Sequence, residues 1–261
     1  MPAPDTAFNG VADQFAGYGS DLRGYVRYEV AHQNLKPYVA EGPLNIADIG
    51  SGAAIDGLWL ASLGHQVTLV EPSKKQMAKA QDAIAAAPSD TAERITMVLG
   101  TTQDLLANGQ ENEFDMVLSH GVAMYLSDPG SFIGELVRLT KPAGKISLLE
   151  KGFYGAEARM IHEENWTGLR ILQRTHKVPK NNMGYEVYAF MPAELEQLLK
   201  KAGAKTLSWS GVRVITDEMK MPVHALEPDM LAAIVDVEHK QGARQGIRET
   251  GQMLHFIAEK R

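Results

Sequence analysis

The chain has 261 residues, of which 44% are hydrophobic, and a formal net charge of −6, which disfavours general nucleic-acid binding. It contains no cysteine, which excludes disulfides, cysteine nucleophiles and thiolate metal sites and fits a cytoplasmic protein. No apolar run reaches the length of a membrane span, and the N-terminus lacks the pattern of a signal peptide, so we expect no membrane association.

The N-terminal part of the chain, residues 1–40, is expected to form a helical lid. Its beginning is polar and glycine-rich, and a helix is predicted to start around residue 20 and to end near Pro37. Arg23 and Arg27 are four positions apart and therefore share one side of that helix. The pattern fits a solvated pair, and it also fits an arginine that closes over the carboxylate of a bound cofactor.

Residues 45–71 predict a strand, a glycine turn, a helix and a second strand. Gly50 and Gly52 allow the chain to turn tightly and a ligand to lie against bare backbone. Glu71 ends the second strand about 20 residues after the glycines, where an acid can bind ribose hydroxyls. A Gly-x-Gly turn can be purely structural, but Asp48 before it and Glu71 after it favour a nucleoside-cofactor site. The predicted helix has an apolar face formed by Leu58, Trp59, Leu60 and Leu63.

The next segments continue the alternation of helices and strands. We predict helices at residues 73–87 and 126–139, strands at residues 95–99, 116–119 and 145–149, and a turn at residues 141–144. This alternation indicates a parallel, doubly wound sheet. The carboxyl edge of such a sheet lines the ligand crevice.

A region at residues 154–190 interrupts the alternation, and we interpret it as a helical cap inserted into a domain that spans residues 41–261. Its basic residues are Arg159, Arg170, Arg174, His176, Lys177 and Lys180. The chain after the cap predicts a helix at residues 191–202, a strand region at residues 205–215, a helix at residues 227–240 and a strand at residues 253–259. This late pair of strands fits a sheet whose final strand is antiparallel.

Several parts of the chain form a recognisable set: residues 48–52, Glu71, residues 101–105, residues 114–120 and residues 139–146. Together they resemble the class I S-adenosylmethionine-dependent methyltransferases. The resemblance implies an α/β, Rossmann-like fold: a mostly parallel, doubly wound sheet with an antiparallel final strand and an inserted helical cap. It also implies an enzyme that uses S-adenosyl-L-methionine as its cofactor.

A similarity over nearly the whole chain points to the bacterial methyltransferases that esterify 5-carboxymethoxyuridine at the tRNA wobble position. The stretches that carry it are Phe15, residues 18–19, 24–27, 102–104, 120–122, 128–129, 211–214 and 231–238. This family implies the anticodon region of tRNA as partner and the carboxylate of that uridine as methyl acceptor. Ser51 and Ala54 replace glycines of the pattern, and Glu71 replaces an aspartate. The net charge and the sparsely basic cap favour a small-molecule methyltransferase as the alternative.

The resemblance implies eight cofactor-binding residues: Arg27, Gly50, Ser51, Gly52, Glu71, Thr102, Gln103 and His120. Arg27 would pair with the methionine carboxylate of the cofactor, and Glu71 would bind the ribose. Thr102 and Gln103 would flank the adenine. His120 would lie by the methionine end.

The methyl acceptor needs less chemistry from the protein if it is a carboxylate, because a carboxylate is already ionised near pH 7 and requires no general base. A cation must then hold it, and Arg213 is the first candidate, with Tyr154 as a possible hydrogen-bond donor. Were the acceptor a phenol or an amine, His120 could serve as the base. For RNA, Trp166 or Tyr188 could stack on an unpaired base.

The histidines show no spacing suited to a metal, and we predict no metal site.

Three further interpretations stay open beside methyl transfer to tRNA. A small-molecule methyltransferase could use the same scaffold. A nicotinamide oxidoreductase shares the glycine turn and the acid, although no hydride-transfer constellation is evident. A non-catalytic module could keep the cofactor only as a structural ligand.

Overall fold

The structure is a computed structural model that describes residues 21–179, 185–219 and 221–261. The first half of the lid expected at residues 1–40 therefore lies outside the described residues. The same holds for Phe15, Tyr18 and Gly19 of the tRNA-enzyme resemblance and for Lys180 of the cap.

The first part of the chain alternates helices with short strands. The elements are α1 (Leu22–Val39), β1 (Asn45–Ile49), α2 (Ile55–Ser62), β2 (Gln66–Glu71), α3 (Lys74–Ala85), α4 (Ser89–Ala92), β3 (Ile95–Leu99), α5 (Thr102–Ala107), β4 (Phe114–His120), α6 (Pro129–Leu139) and β5 (Thr140–Lys151). Polar side chains begin several of these helices, since Asp21, Ser73 and Asp128 each accept a backbone N–H of the first helical turn.

The second part of the chain contains the cap and the last strands. The elements are α7 (Phe153–His162), α8 (Trp166–Thr175), β6 (Lys177–Val178), β7 (Val187–Tyr188), α9 (Pro192–Lys201), β8 (Ala204–Val212), α10 (Pro228–Gly242) and β9 (Met253–Lys260). Helices α7 and α8 and the antiparallel strand pair β6–β7 lie in the region interpreted from the sequence as a cap.

The main sheet has seven strands in the order β3-β2-β1-β4-β5-β9-β8 among the described residues. Strands β1 to β5 are parallel, and β9 runs antiparallel to both of its neighbours, β5 and β8. The predicted Rossmann-like sheet with an antiparallel final strand is therefore confirmed. The last strand of the chain lies inside the sheet, and β8 forms the edge.

Helices cover both faces of this sheet, as its buried strands require. One face packs against α6 and α9 through residues such as Ile133, Leu136 and Leu195, which are fully buried. The other face packs against α2 through Leu60 and Ala61. Helix α1 lies against α10 and extends this second layer. None of the described helices is long and apolar enough to cross a membrane.

Three local predictions are wrong. Leu63 is 51% exposed, because α2 ends at Ser62 and Leu63 lies past its buried face. The turn predicted at residues 141–144 is part of β5, as a bulge in which the pairing shifts between Phe114 and Met116 of β4. Arg213 is predicted to lie in a strand region at residues 205–215, but β8 ends at Val212 and Arg213 has a left-handed φ of 60°.

Candidate active site

A cleft with a volume of about 550 Å³ opens at the carboxyl edge of the sheet. Its walls come from the loops after β1, β2 and β4, from α1, from the end of β5 and from α7 of the cap. In open α/β sheets this edge is the ligand site, because the loops diverge where the strand order reverses. Here the reversal lies between β1 and β4.

The glycine turn after β1 forms the floor of the cleft. Gly50 and Gly52 have φ angles of 71° and 54°, which glycine adopts without strain. A Cβ on Gly50 would lie 2.4 Å from Cγ2 of Val122, in the loop after β4, so this close approach also requires glycine. Ala54, at the position of a third glycine, likewise has a left-handed φ of 65°.

Glu71 ends β2 beside this turn and is 6% exposed. Its Oε2 accepts the Gly52 N–H at 3.0 Å, and its Oε1 accepts the Ser73 N–H at 2.9 Å. Burial raises the pKa of Glu71, while these two N–H donors act in the opposite direction. Each carboxylate oxygen keeps a further lone pair, so the group can also accept hydrogen bonds from a diol.

The cleft wall carries three buried acceptors without hydrogen-bond partners among the described residues. They are Oδ2 of Asp48, Oγ of Ser51 and Oε1 of Gln76. Burial, together with nearby Asp56 and Glu71, raises the pKa of Asp48 well above its usual range. A ligand that donates hydrogen bonds, and above all a cationic one, would complete this wall.

Arg27 reaches the cleft from α1, where it is 8% exposed. Its Nη2 donates to the backbone oxygen of His120 at 3.1 Å, and its Cζ lies 4.7 Å from the centre of the Tyr28 ring. These contacts hold the guanidinium beside the end of β4. The sequence fits either a solvated pair or an arginine that closes over a cofactor carboxylate. Arg27 lies buried at the cleft, whereas Arg23 forms an ion pair with Asp21.

His120 belongs to a buried polar network. Its Nδ1 lies 2.9 Å from Oδ2 of Asp56, and its Nε2 lies 2.8 Å from Oγ of Ser147. His32 Nε2 lies 2.8 Å from the other oxygen of Asp56, and His255 Nε2 lies 2.8 Å from the same Ser147 oxygen. Both ring nitrogens of His120 therefore have protein partners, which argues against a role as general base.

Burial and neighbouring side chains set the pKa values of Asp56 and His255 in this network. Burial opposes ionisation of Asp56, but His120 and His32 hold the pKa of that carboxyl well below its usual range. Burial and the nearby His120 hold the pKa of His255 well below its usual range. Sequence reasoning missed Asp56, His32, Ser147 and His255, because no local motif marks partners so distant in the chain.

Three basic residues line the opposite end of the cleft: Lys151, Arg159 and Arg213. Arg159 Nε bonds Oε1 of Glu163 at 2.9 Å, and Arg213 forms a buried ion pair with Asp217. Lys151 ends β5. Burial, together with the charges of Arg213 and Arg159, lowers the pKa of Lys151 well below its usual range.

Comparisons with known proteins agree with this architecture. Residues 47–148 match the family model of a methyltransferase domain. A tRNA 5-carboxymethoxyuridine methyltransferase of Escherichia coli (strain K12) is 26% identical, over 98% of this chain and 97% of the relative. The chain is an S-adenosylmethionine-dependent methyltransferase.

Two further similarities are narrower or concern the fold alone. A ubiquinone biosynthesis O-methyltransferase of Caulobacter vibrioides is 34% identical to the methyltransferase, over 39% of this chain and 38% of the relative. The magnesium protoporphyrin IX methyltransferase from Synechocystis PCC 6803 with bound SAH has 14% identity and a TM-score of 0.64, with 98% of each chain covered. The latter likeness supports the fold of the methyltransferase.

The cleft of the methyltransferase brings together most of the residues predicted to bind the cofactor. Arg27, Gly50, Ser51, Gly52, Glu71 and His120 all line it. Thr102 and Gln103 are not among its lining residues, and their side chains instead bond the two carboxylate oxygens of Glu135 at 2.5 and 3.1 Å.

The two residues predicted to position the acceptor are separated. Arg213 lines the cleft and is 7% exposed. Tyr154 is not among the lining residues; it is 39% exposed and packs edge-on against Phe153, because it lies on the outer side of α7. Lys151, which the sequence did not single out, lines the cleft.

The residues present fit S-adenosylmethionine. The orphan oxygen of Asp48 and the Ser51 hydroxyl can accept from an ammonium group, Arg27 can face a carboxylate, and Glu71 can accept from a ribose diol. Among the described residues, no group of three or more acidic, histidine or cysteine side chains could hold a metal ion.

Proposed function

We propose that the methyltransferase esterifies the carboxylate of 5-carboxymethoxyuridine at the wobble position of tRNA. The observation that carries a carboxylate acceptor is the basic end of the cleft, where Lys151, Arg159 and Arg213 lie together. The identity of the nucleoside is supported by the Escherichia coli relative, whose similarity extends through the cap and the late strands rather than over residues 47–148 alone. A cytoplasmic location is part of this proposal.

The same proposal assigns the cofactor to the glycine-turn end of the cleft. Arg27 binds the methionine carboxylate, and Asp48 and Ser51 accept from the ammonium group. Gly50 and Gly52 let the backbone approach the amino-acid part, and Glu71 binds the ribose. His120 shapes the methionine end through its backbone oxygen, which Arg27 contacts.

Thr102 and Gln103 are proposed to flank the adenine from the start of α5. Thr102 and Gln103 remain predictions, since both side chains are bonded to Glu135 of α6. Helix α1 of the expected lid and helix α7 of the expected cap are likewise proposed to cover the cleft. Arg27 of α1 and Arg159 of α7 support this view, because both line the cleft from those segments.

The bound cofactor supplies a methyl group on a sulfonium centre. The protein needs no general base, since a carboxylate is ionised near pH 7. Its task is to hold the acceptor carboxylate in line with the methyl group, and positioning of this kind accounts for a large part of the rate in two-reactant sites. Arg213 is proposed to share this task, and its position is fixed by Asp217 and by the loop at residues 214–216, whose N–H groups donate to buried Glu238.

A small-molecule O-methyltransferase is the second candidate. Its supporting observation is the 34% identity of the Caulobacter vibrioides ubiquinone biosynthesis O-methyltransferase over 101 residues. The cap also carries acids among its bases, since Glu157, Glu163 and Glu164 lie on α7 or at its end. Such a surface attracts a polyanion less than a uniformly basic one.

The test is methyl transfer to tRNA that carries unmethylated 5-carboxymethoxyuridine, with labelled S-adenosylmethionine. We expect a methyl ester on that nucleoside after digestion and mass spectrometry. The control is the same tRNA with 5-hydroxyuridine, which lacks the carboxylate and should remain unlabelled. An unlabelled 5-carboxymethoxyuridine tRNA, or equal labelling of both tRNAs, would contradict the proposal.

A further inference from the structure

The three basic residues at the acceptor end of the cleft differ in their partners. Arg159 and Arg213 are each paired with a carboxylate, Glu163 and Asp217 respectively. Lys151 forms no ion pair among the described residues, and its Nζ donates to Oε1 of Gln252, a neutral amide, at 2.5 Å. The charge of Lys151 is therefore the one of the three that no described carboxylate balances by direct contact.

The amide of Gln252 fixes the direction of Lys151. Gln252 is 4% exposed, and its Nε2 donates to the backbone oxygen of Gly155 at 2.6 Å. That bond leaves the amide oxygen as the group that faces Lys151, so the lysine must act as the donor. Lys151 itself is half-buried at the cleft, and an ammonium group carries two more N–H donors beyond the one used.

We infer that Lys151 Nζ binds the carboxylate of the methyl acceptor and is its principal binding residue in this chain. The inference rests on the proposed function and sharpens it, since Arg213 already has a buried partner in Asp217. An arriving carboxylate balances the unpaired ammonium and relieves its repulsion by the two arginines. A cation held near other cations in a half-buried site favours an anionic ligand over a neutral one.

An opposite role for Lys151 makes a distinct prediction. Burial and the two arginines lower the pKa of Lys151, while the charge of Glu163 acts in the opposite direction, and a neutral amine could act as a base toward a hydroxyl acceptor. A lysine that binds a carboxylate must be charged, so the rate at low acceptor concentration falls as pH rises through its pKa. A lysine that acts as a base must be neutral, so the rate rises over the same interval.

The first experiment compares Lys151→Met and Lys151→Arg in methyl transfer to tRNA that carries 5-carboxymethoxyuridine. We expect Lys151→Met to lower kcat/KM about tenfold or more, the effect of one lost charged hydrogen bond. Lys151→Arg, which stays charged and cannot serve as a base, should keep most of that activity. Lys145→Met is the matched control, because Lys145 lies in the middle of β5, pairs with Glu259 and does not line the cleft, and it should leave transfer unchanged. Loss of activity in Lys151→Arg together with a rate that rises with pH would overturn the inference.

The second experiment does not depend on tRNA. The pKa of Lys151 is followed by NMR in the protein with S-adenosylhomocysteine, the signal being assigned by its absence in Lys151→Met. Acetate, acetamide and dimethyl phosphate are added separately at constant ionic strength. We expect acetate to raise the pKa and acetamide to leave it unchanged.

The outcomes separate the inference from the proposed function. No effect of acetate, or a larger effect of dimethyl phosphate, would overturn the carboxylate assignment, and the latter would indicate a contact with an RNA phosphate. If acetate raises the pKa but tRNA is not methylated, Lys151 is still an anion-binding residue and the proposed tRNA substrate is wrong.

Discussion

Two buried glutamates, Glu71 and Glu150, have different roles at the cleft. Glu71 faces the cleft directly, with an N–H group bonded to each of its oxygens. Glu150 lies under the loop after β4, is fully buried, and accepts the N–H groups of Val122, Ala123 and Met124 at 2.9 to 3.2 Å. One acid is available to a ligand, and the other shapes the backbone that a ligand meets.

Replacing Glu71 should weaken cofactor binding. We expect Glu71→Ala to raise the dissociation constants of S-adenosylmethionine and S-adenosylhomocysteine about tenfold or more, because a charged acceptor of ribose hydroxyls is lost. Isothermal titration calorimetry measures both constants. Glu113→Ala, at the opposite end of the sheet, is the control. Unchanged affinity in Glu71→Ala would remove Glu71 from the cofactor site.

Glu150 should make stability depend on pH. Burial raises the pKa of Glu150 to about 7 from an ordinary value of 4.5. Its contribution is therefore fully present below pH 4.5 and is lost as pH rises through 7, by about 3 kcal/mol over the whole interval.

Glu150→Gln, which cannot ionise, should remove that dependence. We expect the free energy of unfolding of the wild type, relative to Glu150→Gln, to fall between pH 5 and pH 8 in urea titrations. Parallel pH curves for the two proteins would show that the Glu150 carboxyl does not titrate in this interval.

The contact between the glycine turn after β1 and the loop after β4 shapes the cleft. The glycine turn between β1 and α2 lies directly under the loop after β4, where Val122 occupies the space that a side chain on Gly50 would need. Gly52 is also in the left-handed region, but nothing lies within 4 Å of the Cβ it lacks. Gly50 is therefore required by its backbone angle and by the close approach of Val122, whereas Gly52 is required by its backbone angle alone.

Alanine at these two glycines should separate strain from collision. Both substitutions carry the cost of a left-handed alanine, on the order of 1 kcal/mol. We expect Gly50→Ala to lower the free energy of unfolding by at least about 1 kcal/mol more than Gly52→Ala, because it also displaces Val122. Val122→Ala should recover part of the Gly50→Ala loss and none of the Gly52→Ala loss. Equal losses without recovery would contradict the collision.

The region interpreted as a cap, residues 154–190, carries exposed cations and contributes to the wall of the cleft. Trp166 is 56% exposed at the start of α8, whereas Tyr188 packs against His176 and Phe190 and is half-buried. Of the two aromatic residues considered for stacking on a base, Trp166 is thus the accessible one. Arg170 and Arg174 share one exposed side of α8, with Ile171 between them.

These arginines provide a test of RNA binding. If tRNA phosphates contact them, the pair Arg170→Ala and Arg174→Ala should weaken tRNA binding several-fold and reduce the slope of log affinity against log salt by about 2. Filter binding over a salt series measures both quantities. Arg138→Ala is the control, since Arg138 pairs with Glu111 at the far end of the sheet. An unchanged slope would place the RNA elsewhere or favour a small-molecule acceptor.

The features that could be predicted from the amino-acid sequence are those that depend on residues close together in the chain. The alternation of elements, the glycine turn and Glu71 at the end of β2 were readable, because backbone freedom and hydrophobic periodicity act between neighbouring residues. The boundaries near Leu63 and Arg213 were wrong, because burial and strand pairing, rather than local pattern, end those elements.

Only the tertiary structure decided which side chains meet. His120 finds Asp56 and Ser147 because β4 lies between β1 and β5, an order that no local pattern specifies. Lys151 and Arg213 reach one cleft from strands separated by β9 in the sheet. Their different charge balance depends on partners and burial, which exist only after the distant segments have packed.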